Sequence, residues 1–201
     1  MTDTAQLVRE RADTYIGWLV EACSIPSLAE QPDGLVQMAA WLEQRFAALG
    51  GRTERLTYEG APDTLLSKLG TGERTMLIYD HYDVQPVDPI ELWDSKPFEP
   101  DIRDGCIYAR GVADNKGDLV ARLAALDVYN EVHGALPIQI KFLVEGEEES
   151  GSRNFESIVT RYRDRLTADG CIWEGNQIDH AGRPDIVFWA KGLAYVELTC
   201  R

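Results

Sequence analysis

Histidine is scarce in this chain of 201 residues, with three in all, and its four cysteines form no close pair. Cys23, Cys106, Cys171 and Cys200 show no C-x-x-C spacing, which excludes a zinc knuckle of that kind and leaves free thiols as the expectation. No apolar run approaches membrane-spanning length. The segment MTDTAQLVRERADTYIGWLV has no basic stretch ahead of an unbroken apolar one, so no signal peptide is visible and a cytoplasmic location is expected. Positive charge is short as well. Twenty Lys and Arg against 34 Asp and Glu leave a formal net charge of −14, which argues against nucleic acid and anionic membranes as partners. Internal repeats and low-complexity tracts are also missing.

What is present is an ordinary globular composition, 44% hydrophobic and 27% charged, enough for one sizeable α/β core. Apolar spacing predicts a helix over 3–22 and another over 34–49, stopped by Gly50-Gly51. Strands are expected at 52–58 and 64–69, and TMLIY at 75–79 suits a buried parallel strand. Four prolines between Asp80 and Pro100 forbid regular pairing, and 101–111 reads as a hairpin turning at Asp104-Gly105. A helix over 116–132, a strand over 137–144 and a helix over 152–166 follow. Short strands are expected at 170–173 and 185–189, and Leu193–Cys200 alternates like another. This alternation predicts an α/β fold with a doubly wound, largely parallel sheet and flanking helices.

Histidine and carboxylates stand where these strands give way to loops, outside the carboxyl ends, which is where such sheets place their ligands. His81 follows TMLIY, and a lone histidine is more often structural than a ligand. Asp83, two residues on, can accept the proton of the second ring nitrogen and leave the other free for a metal. Asp114 is either an N-cap or a carboxylate bridging two cations; Gly111 and Gly117 around it permit close backbone approach. Glu147-Glu148-Glu149 is either a solvated acidic turn, with Ser152 capping the next helix, or a cation-binding run in which one glutamate ligates and another takes a proton. Glu174 ends a strand and could be a terminal ligand or a surface charge.

Three ordered motifs, His81-Tyr82-Asp83-Val84-Gln85-Pro86, Arg110-Gly111-Val112-Ala113-Asp114-Asn115-Lys116-Gly117 and Glu145-Gly146-Glu147-Glu148-Glu149-Ser150-Gly151-Ser152, together resemble the M20 metallopeptidases, and within them the carnosinase-like dipeptidases. Supporting pieces are Trp93 with Pro97-Phe98-Glu99-Pro100, the Asp104-Gly105 hairpin and Lys191-Gly192-Leu193-Ala194-Tyr195. The resemblance implies a zinc-peptidase-like catalytic domain that hydrolyses the amide bond of dipeptides or N-acyl amino acids with two divalent cations, zinc first, manganese or cobalt next. By position it implies that His81, Asp114, Glu149 and Glu174 bind metal, with Asp114 bridging. Asp83 would orient His81, Glu148 would be the general base for a metal-bound water, and the Asp114–Asn115 bond is a candidate for the family's cis peptide.

Two departures accompany the likeness. Asp80 stands where many relatives have Gly. Family members also continue into a lid or dimerisation domain and return to the sheet with a histidine for the second cation. On that basis, 1–192 is expected to be the N-terminal portion of the catalytic domain and 193–201 a first strand leading towards the lid. The complete protein is expected to be a homodimer through that lid. The 201 residues alone are expected to be weakly active or inactive, and absent strands to leave apolar surface exposed. His133, at a helix end, and His180, in a loop, match no ligand position. A non-catalytic cation-binding or interaction module is the alternative. A serine hydrolase has no support, because no G-x-S-x-G elbow occurs.

Overall fold

The computed structural model describes residues 4–175, 177–178, 180–185, 196 and 198–200. In chain order its elements are α1 (Thr4–Glu10), α2 (Ala12–Cys23), α3 (Pro32–Ala48), β1 (Arg52–Leu56), β2 (Thr64–Leu69) and β3 (Thr75–His81). There follow β4 (Asp101–Arg103), β5 (Cys106–Tyr108), α4 (Lys116–His133), β6 (Gln139–Glu145), α5 (Phe155–Leu166) and β7 (Gly170–Ile172). Two short strands, β8 (Gln177–Ile178) and β9 (Pro184–Asp185), complete the set. The strands expected beyond Asp185, including 193–200, lie outside the described residues.

The main sheet has the order β1-β2-β6-β3-β7. Its site-bearing core β6-β3-β7 is parallel, and β1 and β2 extend it in antiparallel fashion. Helices cover both faces, so the strands carry apolar residues in succession rather than in alternation. On β2, Leu65 turns to the α2–α4 side while its neighbour Leu66 turns to α5. On β6, Phe142 and Val144 meet Met38, Leu42, Phe46 and Leu119, whereas Leu143 meets Ile158 and Leu166. The α/β expectation therefore holds.

Local differences have local causes. The N-terminal segment is two helices parted at Arg11, whose guanidinium pairs with Asp127 at 2.7 Å and Glu131 at 3.1 Å on α4. β3 runs two residues past TMLIY, since Asp80 pairs with Val144 and His81 with Glu145 although both are polar. Hydropathy stops at Tyr79, but the backbone ladder does not. α5 starts at Phe155, and Ser152 does not cap it: Ser152 has φ 49° and donates to Glu145 at 2.9 Å. Among the described residues no helix is long and apolar enough to cross a membrane, and the four cysteines are free.

Candidate metal centre

Three parallel strands deliver the site to one edge of the sheet. His81 is the last residue of β3, the glutamate turn follows β6, and Glu174 lies two residues past β7. The His81 ring is buried. Its Nδ1–H donates to the backbone oxygen of Asp83 at 3.1 Å, with an Asp83 carboxylate oxygen at 3.4 Å. That contact fixes the orientation of the ring and aims Nε2 at the acidic cluster. Around Nε2 stand Asp114 at 2.9 Å, Glu174 at 3.3 Å and Glu148 at 4.0 Å. Asp114 is largely exposed and caps no helix; Asn115 occupies the N-cap position of α4. The Asp114–Asn115 peptide is cis.

The three glutamates after β6 divide their tasks. Glu147 is structural: its carboxylate accepts the backbone N–H of Asn154 at 2.6 Å and the Asn154 side-chain amide at 3.0 Å, which ties down the start of α5. Glu148 and Glu149 turn towards His81. Their backbone N–H groups donate to the two carboxylate oxygens of Asp83, at 3.2 and 3.0 Å. Asp83 therefore holds the glutamate turn as well as lying beside His81. The turn itself needs Gly146, where a Cβ would lie 2.4 Å from the buried Tyr82 ring.

Several neutral or cationic partners were not candidates on sequence. Gln85 donates to the Glu149 carboxylate at 2.7 Å. Asn115 donates to Glu174 at 3.2 Å and to Asp80 at 3.1 Å. Arg122 pairs with Asp80, whose side chain is fully buried; Asp80 thus does not face solvent. The Gln85-Pro86 wording of the motif and the Asn beside Asp114 were the only available signals, and Arg122 had none.

Crowding shapes the acid–base state. Burial pushes Glu174 up to about 7, with His81 opposing and Glu148, Asp114 and Asp80 adding to it. Burial also raises Glu148 and Glu149, against His81 and Gln85 respectively. Burial works against charging His81, yet the Asp83 hydrogen bond and the charges of Glu174, Asp83 and Glu148 overcome it, to about 10. Carboxylates, most of them partly buried, crowd around a single imidazole here, which is the electrostatics of a cation site.

The donor set fits divalent metal. One buried imidazole nitrogen and carboxylate oxygens form two overlapping groups, His81–Glu148–Glu174 and His81–Asp114–Glu149, each with ligand atoms within 4.8 Å of one another. Imidazole with carboxylate suits zinc, manganese or cobalt. The six sequence candidates, His81, Asp83, Asp114, Glu148, Glu149 and Glu174, are thus brought together. His133 and His180 are not: His133 ends α4 against Tyr129, ring centroids 4.4 Å apart, and His180 is exposed.

Known proteins share this arrangement of chain. The human Beta-Ala-His dipeptidase is 34% identical over 217 residues, covering 98% of this chain and 43% of that protein. The crystal structure of human carnosine dipeptidase 1 superposes with a TM-score of 0.80 at 29% identity, over 87% of this chain and 41% of the other. An M20 family metallo-carboxypeptidase from Sulfolobus solfataricus superposes with a TM-score of 0.79 at 37% identity, over 84% and 39%. This chain therefore spans roughly two fifths of the length of the proteins it matches. The model of peptidase family M20/M25/M40 matches residues 77–188, more than half of the chain and every strand end that bears the site, and the chain belongs to that family.

Proposed function

We propose that the chain is the metal-bearing part of a dipeptidase or N-acyl amino acid hydrolase working with two divalent cations, zinc being the natural candidate. The observation that carries this reading is the His81 Nε2 environment, three carboxylates within 4.0 Å of one buried imidazole nitrogen. His81, Asp114 and Glu174 would hold one cation, and Asp114 and Glu149 the other, with Asp114 between them. When bound, the cations would supply Lewis acidity, lowering the pKa of a water and polarising an amide carbonyl.

The protein's residues do the rest. Asp83 keeps the imidazole in its Nε2-accepting tautomer and anchors the glutamate turn through two backbone N–H groups. Gln85 and Asn115 steady the carboxylates of Glu149 and Glu174. Among the described residues no side chain donates a hydrogen bond to the Glu148 carboxylate, which leaves it free to move a proton. Burial raises its pKa above the ordinary glutamate value, the direction that suits a group exchanging protons. Glu148 takes a proton from the attacking water and returns it to the leaving amine nitrogen as the C–N bond breaks.

Dipeptides are the favoured substrate class because the similar human protein is named for one. Glu148→Gln is the direct test. Turnover in the full-length protein should fall ~10²–10⁴-fold, while calorimetry still records cation binding. Undiminished turnover would remove Glu148 from the chemistry. Cation binding with no turnover in the wild-type protein would favour the non-catalytic module.

A further inference from the structure

We infer that Arg122, with Asp80 as its counter-ion, is a positioning residue that sets the His81–Glu174 separation by splicing together the unpaired ends of β3 and β7. The ladder between those strands ends at Ile78 and Ile172, just before both ligand-bearing residues. Beyond it, the Arg122 guanidinium on α4 donates to the backbone oxygens of Tyr79 at 3.2 Å and Trp173 at 3.1 Å. One planar fork thus replaces the missing rungs. His81 lies two residues past the first carbonyl, and Glu174 follows the second directly.

Asp80 completes the clamp. The same carboxylate oxygen that receives Arg122 also accepts Asn115, which in turn donates to Glu174. The other oxygen of Asp80 is buried without a hydrogen-bond partner among the described residues. A buried ion pair with an orphaned oxygen is a poor device for stability, since apolar replacements of such pairs are often neutral or better. Its position over the two strand ends gives it a different task. The inference rests on His81 and Glu174 sharing a cation.

The test uses the full-length protein, stripped of metal and titrated with Co(II). Arg122→Lys keeps the charge opposite Asp80 but cannot span both carbonyls. It should weaken the tighter cobalt-binding step ~10–100-fold, the usual effect of losing an outer partner, and change the visible d–d band. The metal-free melting temperature should stay near that of the wild type. Wild-type affinity and band in this variant would overturn the inference. The double variant Asp80→Ala/Arg122→Leu removes both buried charges and should show the same weakening; recovery of wild-type binding would overturn the inference by reducing the pair to mutual neutralisation. Failure of both variants to fold would also overturn it, by making the clamp a requirement of the fold. If wild-type protein bound no cobalt, the cation site itself would fail, an outcome distinct from wild-type binding left unchanged by the substitutions.

Discussion

Protons and cations compete for the same lone pairs at the end of β3. Without a cation, His81 is driven up to about 10 and Glu174 to about 7. A cation must displace the proton on His81 at any pH below about 10, and that on Glu174 below about 7. Affinity should therefore rise with pH, most steeply where both groups are still protonated. Calorimetry in two buffers of different ionisation enthalpy measures the release directly. Close to one proton per first cation is expected at about pH 8 and more at about pH 6; a flat affinity with no release would contradict the geometry around Nε2. At this scale type and position nominate the charged candidates, each beside a plainer task such as a cap, a solvated turn or a surface charge, and the resemblance to the M20 family separates the two. Gln85, Asn115 and Arg122 were not, since a neutral amide or distant guanidinium acquires a role only from the partner the fold brings to it.

Elements obey different rules. Gly117 lies in the first turn of α4, where Ala would ordinarily stabilise a helix by ~1 kcal/mol. Here a Cβ would sit 2.2 Å from the backbone oxygen of Val112. The sign should reverse, and Gly117→Ala should cost ~1–3 kcal/mol as an overpacked position, read as a lower urea midpoint. A gain in stability would show that the loop around Asp114 yields easily. The close approach expected of this glycine is met, and its cause is the carbonyl of the loop that presents Asp114. Element ends were harder to read. Hydropathy placed the end of β3 at Tyr79, two residues early, because pairing with β6 carries polar Asp80 and His81 into the strand. Local spacing offers Ser152 as a cap for α5, but Glu147 and Asn154 secure that end, a contact across seven residues that such spacing does not reveal.

At the scale of the whole molecule, the proposed pair of cations would have few histidines to hold it. Among the described residues only His81 joins the carboxylates, and the chain spans 43% of the length of the human relative. The first proposed cation has His81, Asp114 and Glu174; the second has only Asp114 and Glu149, and Asp114 is largely exposed. A polypeptide of residues 1–201 should accordingly give one tight and one weak binding step on titration with zinc, with dipeptide turnover far below that of the full-length protein. Two steps of equal strength with full turnover would overturn that division.

Periodicity was sufficient for the α/β class and most strand positions, because burial on both sheet faces writes nearly continuous apolar runs such as MLIY and FLV directly into the chain. Residue type was sufficient to nominate His81, Asp83, Asp114, the run Glu147-Glu148-Glu149 and Glu174, and the resemblance to the M20 family singled out Glu148 and Glu149 within that run. Folding alone decided that Glu147 serves α5 while its neighbours face His81, that Asp83 holds the glutamate turn, and that Asp80 is buried against Arg122. Those assignments depend on which strands lie side by side. His81, Glu148 and Glu174 belong to separate segments of the chain, and only the parallel order β6-β3-β7 brings their ends to one edge.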